Sequence, residues 1–262
     1  MHFVLTRFNL GRGADEAWLR GRVELFERFT LPSMRSQTVP PDAWLLYCSE
    51  NSPAWFRERI DEWAVPWLDV AWIPDRGEWQ WLAQRGDVPW SDRVRELLDG
   101  SSDVVTSRLD NDDAVARDFC ERVRRASRGR REFINFPNGA QYGEGRVYLR
   151  PDRSSPFLSL VEPAGAGVQT VFAFGHSRAS KWAPIRQVFS HPMWLGVVHG
   201  ENFLQSLSGF EVPPGIVLKH FDVDAPVAGA GVGRTVVSGV RFAAGVLSRR
   251  ISRTPARGRE DT

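Results

Sequence analysis

The sequence predicts an α/β protein: a mainly parallel sheet flanked by helices, followed by a strand- and loop-rich second half. Apolar, β-branched runs and amphipathic helical stretches alternate four times before Arg130, the pattern of strands joined by helical crossovers. After Glu132 the helical periodicity stops, and the short apolar runs EFINF, RVYLR, FLSLVE and TVFAF follow one another between loops. A third observation marks the functional edge. Asp103 to Asp113 reads DVVTSRLDNDD, a buried-strand signal at Val104 and Val105 that breaks into three carboxylates, Asp110, Asp112 and Asp113. In open α/β sheets, ligands bind at the carboxyl edge of the strands.

Taken in order, His2 to Phe8 predicts the first strand. Trp18, Leu19, Val23, Phe26 and Phe29 recur at helical spacing, and Pro32 is expected to end that helix. Ala43 to Cys48 reads as a second strand. Ser52 and Pro53 then open a second helix whose inner stripe is Phe56, Ile60 and Trp63. Leu68 to Ile73 is a third strand and Trp90 to Leu98 a third helix, with the central strand after Gly100. A fourth helix is expected from Ala114, with Val115, Phe119, Val123 and Ala126 inward and Arg117, Glu121, Arg122, Arg124 and Arg125 as its solvated face. Gly139, Gly143 and Gly145 punctuate EFINF and RVYLR and predict that these two runs form a hairpin with a mobile or tight connection.

A chain of 262 residues supports one large domain or two small ones. Its 42% apolar and 25% charged content is ordinary for a soluble globular protein, which argues against disorder. Cys48 and Cys120 each fall inside a predicted element, which argues against a disulfide framework and fits a reducing compartment. No stretch approaches a membrane span, and MHFVLTRF lacks the parts of a signal peptide, so the expected location is the cytoplasm. The net charge of +2 hides a division. Residues 225–262 carry seven Arg against Glu260 and Asp261, a net of +5, which leaves −3 for the remainder. A body of that sign argues against nucleic acid as a partner.

Two carboxylates about 5 Å apart repel by roughly 3 kcal/mol at an effective dielectric near 20, so the Asp110–Asp113 cluster calls for a cation, a proton or solvent. One reading is a helix start capped by Asp112 or Asp113. Another is a Mg²⁺ or Mn²⁺ site of hard oxygen ligands beside a diphosphate. A calcium loop lacks the required spacing. Capping and metal binding can coexist. Nine of the eleven tryptophans precede Ser91; Trp79, Trp81 and Trp90 lie in a loop-rich stretch and are candidates for stacking on a sugar, whereas core packing accounts for most others.

Several stretches together carry a resemblance. These are a first strand ending in TRFN, then ELFERFTLPSMRSQT, SRLDNDDAVARDF, INFPNG, SPFLSLVE, HSRASKWAPIRQV and PMWLGVVHGENF. Over roughly residues 1–224 the chain resembles the rhamnosyltransferase family, nucleotide-sugar glycosyltransferases with a GT-A-like, Rossmann-like fold. The resemblance implies transfer of a sugar, rhamnose by the family's name, from a nucleotide-diphosphate sugar to a carbohydrate or glycolipid acceptor, assisted by Mn²⁺ or Mg²⁺. It implies that Asp110-Asn111-Asp112 is the Asp-x-Asp element, with Asp110 facing ribose or metal and Asp112 binding metal. His199 would complete the metal shell; on the residues alone it reads rather as a core histidine after WLGVV, and only the resemblance puts the ligand reading ahead. Arg7 and Asn9 would lie in the nucleotide pocket; Arg178, Lys181 and Arg186 in HSRASKWAPIR are candidates for the phosphates, in a stretch that reads either as a loop ordering over the donor or as a plain surface turn.

An inverting transferase also needs a carboxylate to take the acceptor's proton. Glu162, whose burial at a strand end would raise its pKa, and Asp113 are the candidates; a solvated strand end and a helix cap are their plainer roles. A metal-dependent nucleotide-sugar phosphohydrolase and a non-catalytic carbohydrate- or nucleotide-binding protein are the alternative functions. Residues 225–262 form a separate basic tail. Ala225 to Gly233 reads as a flexible connection, and Val236, Val240, Ala243, Leu247 and Ile251 share one helical face. Gly239 and Gly245 weaken that helix by roughly 1 kcal/mol each. Peripheral contact with the anionic inner face of a membrane, a disordered tail and a helix docked on the domain are all compatible with this pattern.

Overall fold

The structure, a computed structural model, describes residues 1–13, 15–74, 90–98, 103–163, 167–173, 175–200 and 206–227. The first strand, β1 (His2–Arg7), shows why the main sheet forms. Its side chains alternate between two cores: Val4 packs with Phe26 and Trp44 on one face, and Phe3 and Leu5 pack with Leu45 and Tyr47 on the other. A strand buried on both faces reads as a continuous apolar run, and β2 (Ala43–Ser49) is wholly buried in the same way. With β3 (Leu68–Ile73), β4 (Val104–Arg108), β6 (Glu132–Asn135), β9 (Ser159–Glu162) and β10 (Ile185–Gln187) they form one sheet in the order β10-β6-β9-β4-β1-β2-β3. The pairs β1–β2, β2–β3, β1–β4 and β10–β6 are parallel, and β9 runs against both of its neighbours. The mainly parallel α/β architecture is as the sequence predicts.

From β1 the chain moves outward through β2 to β3, then returns to the other side of β1 as β4. This reversal beside β1 is a topological switch point, where a crevice opens at the carboxyl ends of the two strands. The covering helices are α1 (Glu16–Leu25), α2 (Leu31–Arg35), α3 (Ala54–Glu62), α4 (Trp90–Leu97) and α5 (Phe119–Ala126). A second sheet, in the order β12-β8-β7-β11-β5, is built from β5 (Ala114–Val115), β7 (Asn138–Gly143), β8 (Arg146–Pro151), β11 (Trp194–Val197) and β12 (Phe210–Val212). The hairpin is not the expected one between EFINF and RVYLR: β6 pairs in the first sheet, and the glycine-bearing stretch is itself the strand β7, which pairs with β8 through a turn at Glu144 and Gly145, φ 52° and 71°, the left-handed pair that matches strand twist. A short helix, α6 (Pro214–Leu218), follows β12.

Several elements differ from expectation. Pro32 does not end the first helix. A π-helical turn, Phe26–Thr30, joins α1 to α2, and Pro32 sits in the first turn of α2, where the change of register spares its missing N–H. Ala114 and Val115 pair with β11 as a strand rather than opening a helix; α5 begins at Phe119. Within TVFAF, Val171–Ala173 is a 3₁₀ turn. Contacts with the domain reach past Asp224: the Tyr142 hydroxyl donates to the Pro226 carbonyl (2.7 Å) and Ala225 packs on the core. Among the described residues, no helix is long and apolar enough to cross a membrane. Trp79, Trp81, Glu201, Asn202 and the tail from residue 228 lie outside the described residues.

Candidate functional site

The crevice at the switch point is where β1 and β4 end side by side, with Leu5 opposite Arg108. Two hydrogen bonds hold the strand exits together: Leu109 N–H donates to the Leu5 carbonyl (3.1 Å), and the Asn111 amide donates to the Phe8 carbonyl (2.7 Å). With Asn111 turned toward β1, Asp110 and Asp112 face the crevice, and both line it. Asp110 is gripped by Arg108 through two bonds, Nε to Oδ1 (3.0 Å) and Nη2 to Oδ2 (2.7 Å). Burial alone would raise the Asp110 pKa, but the charges of Arg108 and then Arg7 hold it below the ordinary carboxylate range.

Asp112 has different partners. Its Oδ2 accepts from Arg22 Nη1 and lies 2.9 Å from His199 Nε2, and Arg22 Nη1 is 3.4 Å from that same ring nitrogen. The side chains of Arg22 and Asp112 are 8% and 11% exposed, so this is a buried ion pair. Asp113 points elsewhere. Its Oδ1 accepts from Val197 N–H of β11 (2.8 Å), and its carbonyl accepts from the Thr30 hydroxyl (2.8 Å). Burial, then the charges of Asp112 and Asp110, push its pKa well above the usual range. Asp113 therefore ties the exit of β4 to β11 and to the π-helical turn that ends at Thr30. It neither caps a helix nor lines the cleft.

The cleft has a volume of about 360 Å³, within the range of small-molecule sites. Arg7, Arg12, Arg22 and Arg108 line it against Asp110 and Asp112, a net charge of +2. Trp18 and Trp90 supply aromatic walls. The guanidinium of Arg12 lies 5.1 Å and that of Arg22 5.0 Å from the Trp18 ring, and Arg7 sits 4.8 Å above Phe172.

Of the residues singled out from the sequence, Arg7, Asp110, Asp112 and Trp90 line this cleft, and His199 reaches Asp112. Others do not belong to it. Asn9 is buried and engaged at both ends of its amide, accepting from Ser49 N–H (3.0 Å) and donating to Ser52 Oγ (2.8 Å), so it staples β1 to the exit of β2. Arg178 and Lys181 are exposed on the 3₁₀ turn His176–Lys181, outside the cleft lining. Arg186 donates to Glu132 (2.9 Å) and to the Ala126 carbonyl.

Glu162 lies toward the opposite end of β4 from the cleft. Because β9 is antiparallel to β4, it pairs with Val104, four residues before Arg108, or about 13 Å at strand spacing. There its carboxylate accepts from Gln169 N–H (3.1 Å) and Thr170 N–H (3.0 Å), with Arg131 at 3.5 Å. Burial pushes its pKa up, against the pull of those two amides. It anchors a loop and has no access to the cleft.

Arg12, Trp18, Arg22 and Arg108 are the cleft residues that the sequence reading missed. For Arg22 a signal existed. It falls three residues from Leu19 and four from Phe26, inside the apolar stripe of α1, and a cation on a buried stripe requires a partner.

The arrangement tests whether a divalent cation fits. Both carboxylates that would hold it already accept from guanidinium groups, and Arg22 Nε is buried without an acceptor. Among the described residues, no three His, Cys, Asp or Glu side chains converge at metal-binding distance. A divalent ion about 5 Å from one guanidinium is repelled by about 7 kcal/mol at an effective dielectric near 20, whereas a diphosphate is attracted. Among the described residues, the arrangement fits a diphosphate and does not fit Mn²⁺ or Mg²⁺.

Residues 12–208 match the sequence family described as "Putative rhamnosyl transferase". No curated protein matches the chain. Among solved structures, it is similar to S. aureus TarS residues 1–349 in complex with UDP, at 12% identity and a TM-score of 0.43, covering 78% of this chain and 62% of that one. A second S. aureus TarS structure gives 12% identity and a TM-score of 0.42, covering 77% of this chain and 37% of that one. A structure described as a "putative nucleotide-diphospho-sugar transferase" from Desulfovibrio desulfuricans G20 gives 12% identity and a TM-score of 0.34, covering 73% and 81%. The chain thus spans less than two thirds of either TarS chain.

Proposed function

We propose that this protein, which belongs to the rhamnosyl transferase family, moves a sugar from a nucleotide-diphosphate sugar to a carbohydrate or glycolipid acceptor in the cleft between β1 and β4. The observation that carries the reading is the convergence of Arg7, Arg12, Arg22 and Arg108 on one crevice at the switch point. Breaking the bond between the sugar and the diphosphate concentrates negative charge on the leaving phosphate. Fixed cations already aimed at that position stabilise the charge without reorganising. Asp110, held by Arg108, presents carboxylate oxygens to the hydroxyls of ribose or sugar, and the Trp18 ring gives an apolar face for base or sugar, with Trp90 buried behind the wall against Tyr47 and Phe172. The family description makes rhamnose the first donor sugar to try.

Product analysis on the full chain tests this, using nucleotide-activated rhamnose and common hexoses with and without carbohydrate acceptors. Transfer yields a glycosylated acceptor and a nucleoside diphosphate. Nucleoside monophosphate and sugar phosphate formed regardless of acceptor would mark a phosphohydrolase instead, and binding without turnover would mark a non-catalytic module. The reading extends to a cytoplasmic enzyme held at the inner membrane face by its basic tail, each cation near an anionic surface contributing about 1 kcal/mol. Cosedimentation with anionic vesicles, comparing the full chain with one ending at Val227, checks that part. Equal binding by the two chains would remove the tail from the account.

A further inference from the structure

We infer that Arg22 takes the place of the divalent cation, so that this protein binds and neutralises the leaving diphosphate of its donor without metal. The inference rests on reading the β1–β4 cleft as the donor site. Arg22 Nη1 touches the Asp112 carboxylate and lies 3.4 Å from His199 Nε2, between two residues that the family resemblance offers as metal ligands. The guanidinium is held in place from several sides. It rises from α1, packs 5.0 Å from the Trp18 ring, is bonded to Asp112, and is 7% exposed.

Its chemistry favours an anion. Nε remains buried with no acceptor, and the planar fork of donors in arginine matches phosphate oxygens two at a time. Asp112 is then a positioning residue that aims Arg22. Arg108 is tethered to Asp110 in the same manner, which leaves Arg7 and Arg12 as the unbalanced positive charge facing the cleft. In the transfer, the sugar C1–O bond breaks with its electron pair passing to the diphosphate. The acceptor oxygen forms the new bond to C1 and its proton passes to water. Arg22 meets the charge that arrives on the phosphate, and no redox partner is needed.

Isothermal titration of the full chain with inorganic pyrophosphate, UDP and thymidine diphosphate, in EDTA and then in Mn²⁺, tests the inference. At least one nucleoside diphosphate is expected to bind equally well in both buffers. Arg22→Gln is expected to lower that affinity by about 10- to 100-fold, the range of a lost charged hydrogen bond, with Arg22→Lys in between because it keeps the charge and loses the fork. Circular dichroism of both variants reports whether they fold; if neither does, the wild-type comparison between EDTA and Mn²⁺ decides alone. Nucleoside diphosphate binding that appears only with Mn²⁺ would overturn the role of Arg22 and leave the donor-site reading standing. No nucleoside diphosphate binding in either buffer would overturn the donor-site reading itself, and the inference with it.

Discussion

Replacing Glu162 by Ala separates a structural carboxylate from a catalytic one. Glu162 is 1% exposed and accepts from the backbone N–H groups of Gln169 and Thr170 at 3.1 and 3.0 Å. Thr170 is fully buried, so its N–H loses its acceptor in the variant, while Gln169 lies where water reaches. Losing a charged acceptor and stranding one buried donor costs about 2–3 kcal/mol. At roughly 2–4 °C per kcal/mol for a chain of this size, the melting temperature should fall by roughly 5–10 °C. Well below that melting point, nucleoside diphosphate affinity should change by less than about tenfold, because the substitution lies about 13 Å along β4 from Arg108. Differential scanning calorimetry and titration on the same preparation measure both quantities. An unchanged melting temperature with abolished turnover would show that Glu162 takes part in the reaction, and the argument from the direction of β9 would be wrong.

Other outcomes follow from the same geometry. Gly139→Ala should destabilise by about 2–4 kcal/mol in urea titrations, since its Cβ would meet Trp194 Cε2 at 1.9 Å and displace a ring that stacks on Phe157 and donates to the Phe136 carbonyl (2.9 Å). His2 is buried beside Ser107 Oγ (2.8 Å), and burial, then Arg124 and the N-terminal charge, push its pKa down to about 3. The folded pKa lies below the unfolded one, so the stabilisation is complete above pH 6.5 and is lost as pH falls toward 3. Between pH 7 and pH 5 this one residue should account for roughly 2 kcal/mol of lost stability, which His2→Asn should largely abolish. Arg178→Ala, on an exposed turn outside the cleft, should leave nucleoside diphosphate affinity unchanged by titration.

What could be read from the sequence was whatever local periodicity dictates. The alternation of Val4 against Phe3 and Leu5 marks a strand buried on both faces, and it survives intact in the two cores. The end of β4 was legible for the same reason, because an apolar run that breaks into Asp marks where a strand stops; that Asp112 and Asp113 stay buried there was not. Strand direction was not legible. FLSLVE is apolar whichever way it runs, so its antiparallel placement, and with it the distance of Glu162 from the cleft, came only from the fold. Ala114–Val115 is two residues long, too short for a period to show, and Val115 is spaced from Phe119 as if on one helix. The pairing of Arg22 with Asp112 spans 90 positions. A spacing argument cannot reach that far, although an arginine on the apolar stripe of α1 already demanded an anionic partner.

The central claim is that the arginine-lined crevice between β1 and β4 holds the diphosphate of a nucleotide sugar. A crystal structure of the full chain with its tightest-binding nucleoside diphosphate, chosen from a thermal-shift panel, tests it most directly. The account predicts phosphate oxygens within hydrogen-bond reach of Arg7, Arg22 and Arg108, with Asp110 beside the ribose. A diphosphate bound away from this crevice would contradict it, whereas one held in the crevice only through a metal ion that has displaced Arg22 from Asp112 would contradict the role of Arg22 alone.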